Sequence, residues 1–423
     1  MLPADLPGTV RDALLAPLVD HHCHGVRRDD LSRAEFELLI NEGGSPAPPG
    51  TTHFDTPFGA ALRRWCAPLL DLEPHAPPAV YLARRAELGA GEVNRRLLAG
   101  AGVVAFLVDT EPDAAELLSA AEMGRHGGAA ADELVRVEQI ERDVAEVAQL
   151  AVDYLDDLGD ELAARATRAV GLKTVIGALC GLDFDPSRPS RGAVIAAANR
   201  RLSDPKERLT DPILLRHLLW NAIDVARERG LPMQFHTGFG AAVPGPAASG
   251  PDPHRLGGFG ADPQRLGGFG ADSHRTGAHR LGGSGADPHR ADPARMGAFV
   301  RALQPLGVPV ILLHCYPFHR QAAYLANIYP HVYVDVGLAL PQTAAASARV
   351  MDELLELAPF HKLLFSSACH GVAETGYLGA HYYRQALGAA LAARLRAGEW
   401  SAADAARVAH MIGSGNARRV YRL

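Results

Sequence analysis

The sequence predicts a (β/α)8 barrel in which residues 1–423 form one domain. Short apolar, β-branched runs alternate with Ala-, Leu- and Arg-rich stretches of helical periodicity, a pattern typical of βα units around a parallel sheet. Eight such runs occur, and eight is the strand number of this barrel. The chain has 423 residues, 48% of them hydrophobic, which is enough to bury a large core.

The predicted elements follow one another at regular intervals. Strands are predicted at 17–20, 103–109, 133–137, 169–176, 232–235, 309–313, 332–336 and 362–365. The most regular helical stretches are 81–98, 144–164, 211–229, 320–328, 345–357 and 377–397. Because active sites of such barrels lie at the carboxyl ends of the strands, the residues after each strand are the candidates for function.

Two segments do not fit the βα pattern. Residues 31–78 are rich in Pro, Gly and Thr and are too long for an ordinary βα loop, so they are predicted to form an insert or lid after the first strand. Within 240–292 the decapeptide ADPQRLGGFG recurs in degraded form. Its Gly, Pro and Asp content leaves little apolar area to offset chain entropy, which predicts a low-complexity loop after the fifth strand.

The histidines of this repeat allow an alternative interpretation. His254, His274, His279 and His289 could collect metal ions, although only their composition supports that idea.

Composition excludes several classes of partner and compartment. The net charge of −6 and the absence of a basic run argue against a nucleic-acid partner. No basic start precedes a long apolar stretch and no run of about 18 apolar residues occurs, so a cytoplasmic protein without a membrane partner is expected. The five cysteines lack CxxC spacing, which argues against a disulfide framework or a zinc knuckle. The sequence is compatible with a homo-oligomer.

Histidines follow several of the predicted strands. VDHHCHG after the first strand contains the pair His22 and His24, whose side chains point to the same side of an extended chain and can share one ion. His236 follows the fifth strand and His314 the sixth. Several imidazoles at one barrel mouth can bind a divalent ion, with zinc as the expected one, and leave a position for water that the metal acidifies.

Other polar residues near the strand ends are weaker candidates. Lys173 is an amine inside an otherwise apolar fourth strand. Asp109 ends the second strand and Glu138 follows the third, and either could contact a substrate or cap a helix. Arg320 after the sixth strand could hold a substrate carboxylate or be solvated.

Motifs along nearly the whole chain resemble the amidohydrolase superfamily, in its amidohydrolase-related branch. They are VDHHCHG, LKTVIGALCGLDF, LPMQFHTGFG, VILLHCYPFHRQAAYLANIYPHVYVDVGLA, KLLFSSACHGVAETGYLGA and GNARRVYRL. The branch includes the domain found fused to glutamine-synthetase-like domains. The resemblance implies a barrel with one or two divalent ions. It also implies metal ligation by His22, His24 and His236, a ligand or substrate-polarising role for His314, and a match of Lys173 to the bridging lysine of binuclear members.

The sequence departs from the family at one position. Where the family usually has an Asp in a run resembling SSDAHG, this chain has SSACHG, with Ala368 in place of the Asp. An alanine side chain can neither accept a proton nor bind a metal. Three explanations remain open: Cys369 or His370 substitutes, Glu374 or Asp335 reaches the site, or hydrolysis has been lost while a metal or ligand pocket persists.

The resemblance implies a metal-dependent hydrolase that cleaves a C–N bond of a small-molecule amide, with a γ-glutamyl amide suggested by the glutamine-synthetase association. Catalysis would involve His314 and Lys173. Two alternatives belong to other classes. One is a catalytically impaired barrel that binds a metal or ligand, which Ala368 favours, and the other is a non-oxidative decarboxylase or related lyase.

Overall fold

Seven parallel strands form one sheet whose order follows the chain. In the computed structural model, which describes residues 2–110, 114–239 and 288–423, these strands are β1 Leu18–Cys23, β2 Val103–Asp109, β3 Ala130–Arg136, β4 Gly171–Thr174, β5 Met233–His236, β6 Val310–Leu313 and β7 Val332–Val334. Each strand pairs with the next in parallel register. Parallel neighbours require a crossover between strands, and helices provide it.

The prediction of an eighth regular strand is wrong. Residues 363–371 form isolated β-bridges and no continuous ladder. Leu363 pairs with Val334, and the backbone N–H of Leu364 donates to Val334 O at 3.1 Å. On the other side, the N–H of His21 donates to Phe365 O at 3.2 Å. Lys362 belongs to a 3-10 helix, and positive φ angles at Ala368 (50°) and Gly371 (70°) turn the chain beyond the predicted strand. The segment nevertheless connects β7 to β1.

Seventeen α-helices lie in the described residues. They are α1 Gly8–Leu15, α2 Arg33–Leu39, α3 Pro57–Trp65, α4 Pro78–Gly100, α5 Ala120–Gly127, α6 Val137–Val147, α7 Ala151–Arg165, α8 Ile176–Cys180, α9 Arg191–Ser203, α10 Pro212–Arg229, α11 Gly297–Leu303, α12 His319–Ile328, α13 Ala339–Thr343, α14 Ser347–Leu354, α15 Ala373–Arg396, α16 Ala402–His410 and α17 Asn416–Tyr421. A π-helical turn, Met411–Gly415, joins the last two helices. Among the described residues, no helix has an apolar stretch long enough to cross a bilayer.

The single helix predicted at 144–164 is in fact two helices, α6 and α7. No Gly or Pro marks the break, but Ala148 and Leu150 have extended backbone angles (ψ 141° and 140°). The break allows α7 to pack against α6, where the Tyr154 hydroxyl donates to Glu141 Oε1 at 2.8 Å. This tertiary contact was not visible in the sequence pattern.

The segment 31–78 contains helical structure. It contributes α2, α3 and a 3-10 turn, Ala67–Leu70, and Ser32 and Glu35 form a capping box at the start of α2. Phe36 is fully buried and stacks on Phe54, with ring centroids 5.8 Å apart. The predicted low-complexity loop at 240–292 lies outside the described residues as far as residue 287, and a 3-10 helix, Pro288–Ala291, follows.

The core has two parts, because each strand presents one face to the helices and the other to the barrel interior. The larger cluster fills the space between strands and helices. The inner cluster comprises Val19, Ala105, Leu107, Leu134, Ile311, Leu313, Leu364, Ala417, Val420 and Tyr421. Since the last three belong to α17, the C-terminal helix packs against the interior layer of side chains.

Candidate metal centre

A cavity of about 180 Å³ lies at the carboxyl ends of the strands. Its wall includes His24 directly after β1, Lys173 of β4, His236 of β5 and His314 directly after β6. The structure therefore brings together side chains that are far apart in the sequence, at the face of the sheet where the strand pattern predicted them.

The His22–Cys23–His24 sequence places its imidazoles as the strand period requires. His22 and His24 lie on the same side of β1, with ring centroids 5.0 Å apart, while Cys23 is fully buried on the other side. The Nε2 atoms of both rings converge on the Lys173 ammonium, at 3.2 Å for His22 and 3.4 Å for His24. Two imidazoles thus face one cation position.

Asp109 holds the Lys173 ammonium from the β2 side. Its Oδ2 lies 2.5 Å from Lys173 Nζ, 2.5 Å from a terminal nitrogen of Arg136 and 3.6 Å from His24 Nδ1. Burial alone would raise the pKa of Asp109, but Arg136 and Lys173 lower that pKa to about 2. Asp109 is therefore a buried carboxylate that anchors two cations.

Sequence reasoning missed Arg136, the last residue of β3. Arg136 is the register partner of Lys173 on β4, so the two side chains lie on the same face of the sheet. In the sequence, the position of Arg136 two residues before the candidate Glu138 could have marked it as a further site residue. Only the sheet register shows that Arg136 and Lys173 share one counterion, Asp109.

His236 and His314 complete the cluster. Their ring centroids are 4.7 Å apart, and the His314 ring is 5.2 Å from that of His22. The backbone N–H of His314 donates to Asp335 Oδ1 at 2.7 Å, which supports the left-handed backbone of His314 (φ 66°). His314 is only 2% exposed.

The buried imidazoles are neutral near pH 7. Burial first, and the charge of Lys173 second, lower the pKa of His22 well below 6.5. Burial and the neighbouring His314 do the same to the pKa of His236, and burial lowers the pKa of His314 to about 3. A neutral imidazole offers a lone pair, which is the form that binds a divalent metal.

The donor set fits a divalent ion in its chemistry. Within the described residues, His236 Nε2 and His314 Nδ1 are buried nitrogens without a hydrogen-bond partner, while His22 and His24 direct their Nε2 atoms to the position that Lys173 occupies. In that same part of the chain, no group of three or more His, Cys, Asp or Glu side chains is arranged to hold a metal as it stands. The Lys173 ammonium lies where His22 and His24 converge, so metal binding by this pair requires the amine to move or lose its charge.

Residue 368 faces the cavity without a polar group. Ala368 is 5% exposed, and its N–H donates to His22 O at 3.1 Å. Cys369 is fully buried, its Sγ lies 3.4 Å from Val372 O, and burial raises the pKa of its thiol far above the usual value. Cys369 therefore stays a protonated thiol that contacts its own turn.

The two carboxylates considered as substitutes are engaged elsewhere. Glu374 Oε1 accepts from Tyr81 and from Arg85 Nε, both at 2.9 Å. Asp335 Oδ2 binds His21 Nε2 at 2.8 Å and accepts from Ser366 at 2.9 Å.

Among the four candidates for the missing Asp, His370 is the one that lines the cavity. Its ring centroid is 5.3 Å from that of His24.

The weaker candidates separate into two groups. Glu138 lines the cavity, while its Oε1 accepts from Val175 N at 2.9 Å and from Thr174 Oγ1. Burial raises the pKa of Glu138. Arg320 is exposed and pairs with Glu356 on the surface at 2.8 Å. Arg320 is therefore a solvated arginine at the start of α12.

The fold and this cluster define a parallel α/β protein with buried histidines at the mouth of a curled sheet. The chain belongs to the amidohydrolase family, because the sequence model of that family matches residues 103–423.

Comparisons with individual proteins agree on the fold. A metal-dependent hydrolase from Lactobacillus casei superposes with a TM-score of 0.77 at 20% identity, covering 99% of this chain and 98% of that one. Uronate isomerase from Thermotoga maritima gives a TM-score of 0.61 at 12% identity, with 98% of both chains covered. Protein fluG of Emericella nidulans is 35% identical over 118 residues, which are 27% of this chain and 14% of fluG. The chain thus spans a small part of that relative.

Proposed function

We propose that this protein is a metal-dependent hydrolase that cleaves the C–N bond of a small-molecule amide. The observation that carries the proposal is the convergence of the His22 and His24 Nε2 atoms on one cation position beside His236 and His314. The family, and the superposition with a protein described as a metal-dependent hydrolase, support the same conclusion.

His22, His24, His236 and His314 are the proposed ligands of a divalent ion, with zinc favoured by the imidazole donors. Such an ion supplies Lewis acidity and acidifies water. Lys173 is the proposed bridging residue, since its Nζ already lies between His22 and His24.

The protein's own groups prepare the site for this chemistry. Asp335 fixes the backbone of His314 through the hydrogen bond from its N–H, and Asp109 with Arg136 holds Lys173. Burial keeps His22 and His314 away from bulk water and neutral. His370, at the mouth, is proposed as a less effective proton acceptor than the carboxylate that position 368 lacks.

The test has two separate readouts. Elemental analysis of protein purified and then dialysed against zinc should show bound metal, and a panel of small amides that includes a γ-glutamyl anilide should show release of the amine. Metal without turnover of any amide would contradict the hydrolase proposal. A protein that retains no divalent ion would remove its basis.

A second candidate is a barrel that binds a metal or ligand without hydrolysis. Ala368 favours it, because the side chain facing the cavity there has no proton-accepting group. Tight metal binding, no amine release and no carbon dioxide release from carboxylated substrates would support this candidate. Carbon dioxide release would instead indicate a lyase.

A further inference from the structure

Two arginines on one wall of the cavity have no counterion in contact among the described residues. Arg142 is half-buried on α6, and Arg208 is exposed in the connection between α9 and α10. Within residues 2–110, 114–239 and 288–423, neither guanidinium takes part in an ion pair or hydrogen bond. Partial burial of its guanidinium and the nearby charge of Arg142 lower the pKa of Arg208 against the opposing charge of Glu138, so the two like charges act on each other.

This arrangement is unusual beside the other arginines of the same region. Arg201 pairs with Glu141, Arg136 with Asp109, and Arg200 with Asp211, at 2.7, 2.5 and 2.6 Å respectively. Acidic partners are therefore common nearby. Arg142 and Arg208 face the cavity without such a partner in the described chain, and their combined positive charge favours an anion there.

A buried clamp holds the two arginines in place. Arg201, 7% exposed, binds Glu141 with two nitrogens, at 2.7 and 3.3 Å. Its remaining terminal nitrogen donates to Asp204 O at 3.0 Å and to Glu207 O at 2.7 Å. Because Glu141 precedes Arg142 and Glu207 precedes Arg208, one buried residue binds the side chain next to Arg142 and the backbone next to Arg208.

The carboxylates on this wall do not neutralise the pair. Glu138 accepts hydrogen bonds at Oε1 from Val175 N and Thr174, and burial raises its pKa. Glu207 also lines the cavity, but in the described chain it forms no ion pair with either arginine. The charge of Glu138 acts on Arg208, but among the described residues neither guanidinium has a carboxylate in contact.

We infer that Arg142 and Arg208 form a subsite that binds an oxyanion, so that the substrate carries a carboxylate or phosphate group. The same cavity contains His24, His236 and His314, so a molecule held by the arginines can present its other end to the histidine cluster. A guanidinium pairs with such groups through parallel hydrogen bonds. The substrate assignment rests on the proposed hydrolase function, whereas the anion site itself does not.

The test measures binding of dicarboxylates from malonate to adipate, and of inorganic phosphate, to the full chain by titration calorimetry. Arg142→Gln and Arg208→Gln should each weaken binding of the favoured probe roughly tenfold or more, as expected for loss of a charge-assisted hydrogen bond. The carboxylate and phosphate arms identify which oxyanion is bound. Arg349→Gln is the matched control, since Arg349 is exposed on α14.

Two results would overturn the inference: wild-type protein that binds none of these probes, or a double arginine variant that binds them as tightly as wild type. Zinc content is measured in parallel and should be the same in all variants. Loss of metal binding with intact anion binding would contradict the proposed function alone. Intact metal binding with unchanged anion affinity in the double variant would contradict the anion site alone. For any amide turned over, the arginine variants should raise KM for carboxylated substrates more than for neutral ones.

Discussion

The Lys173 ammonium lies 2.5 Å from Asp109 Oδ2, inside the ring of imidazoles that sequence analysis assigned to a metal. This buried ion pair joins β4 to β2 across the interior of the barrel. It places a positive charge at the point where His22 and His24 converge. A divalent ion held by His22 and His24 would have to displace the ammonium from this position.

Removing the paired histidines should abolish metal binding. The variant His22→Ala/His24→Ala loses both Nε2 atoms that face the cation position, so zinc content measured by elemental analysis should fall close to zero. Circular dichroism should show an unchanged fold. His361→Ala, an exposed histidine distant from the cavity lining, is the control. Full metal content in the double variant would refute the ligand assignment.

Restoring a carboxylate at position 368 should raise amide hydrolysis. Ala368 has φ 50°, a conformation that Asp tolerates better than Ala, so Ala368→Asp should fold normally. A general base there is expected to increase kcat by about 10²–10⁴ if the proton acceptor is what the protein lacks. Ala368→Asn has the same shape without the base and should give no increase. A slower Ala368→Asp enzyme would show that another group, with His370 as the candidate, already serves as the base.

The buried pair of Glu374 and Arg85 should matter for stability and not for the metal. Both side chains are nearly inaccessible, and Arg85 Nε lies 2.9 Å from Glu374 Oε1. Glu374→Ala leaves a buried guanidinium without its partner and should lower the free energy of unfolding by about 3–5 kcal/mol in urea titrations. Arg85→Met/Glu374→Leu, which removes both charges, should recover much of that loss. Zinc content should be unaffected, and a loss of zinc in folded Glu374→Ala would place Glu374 in the site.

Asp335 should contribute stability that depends on pH. Burial alone would raise the pKa of Asp335, but the hydrogen bond from His21 and the charge of that histidine lower the pKa to about 2 from 3.8. Because the folded pKa lies below the unfolded one, the contribution is complete above pH 3.8 and is lost as pH falls towards 2. Asp335→Asn should cost roughly 2–3 kcal/mol at neutral pH.

This Asp335→Asn difference in unfolding free energy should shrink on acidification. The exposed Asp352→Asn, which loses a surface ion pair with Arg394, should cost less than about 1 kcal/mol. An Asp335→Asn cost that is constant from neutral to acid pH would contradict the assigned pKa.

The order of the seven strands and the clustering of the histidines could be predicted from the amino-acid pattern alone. Alternating apolar runs fixed the βα pattern, and the period of two residues placed His22 and His24 on one side of β1. The rule that functional residues follow parallel strands then brought His236 and His314 to the same mouth. These conclusions succeed because they depend on local periodicity and on the direction of the strands.

The contacts between charged groups could not be predicted and depend on the three-dimensional arrangement of the chain. Arg136 and Lys173 share Asp109 because neighbouring strands hold them in register, and Arg201 brings Arg142 and Arg208 to one wall by binding Glu141 and the 204–207 backbone. The irregular eighth segment and the break between α6 and α7 likewise depend on contacts between distant residues. Ion pairs and backbone turns of this kind arise from packing in three dimensions, which a periodic pattern along one chain does not encode.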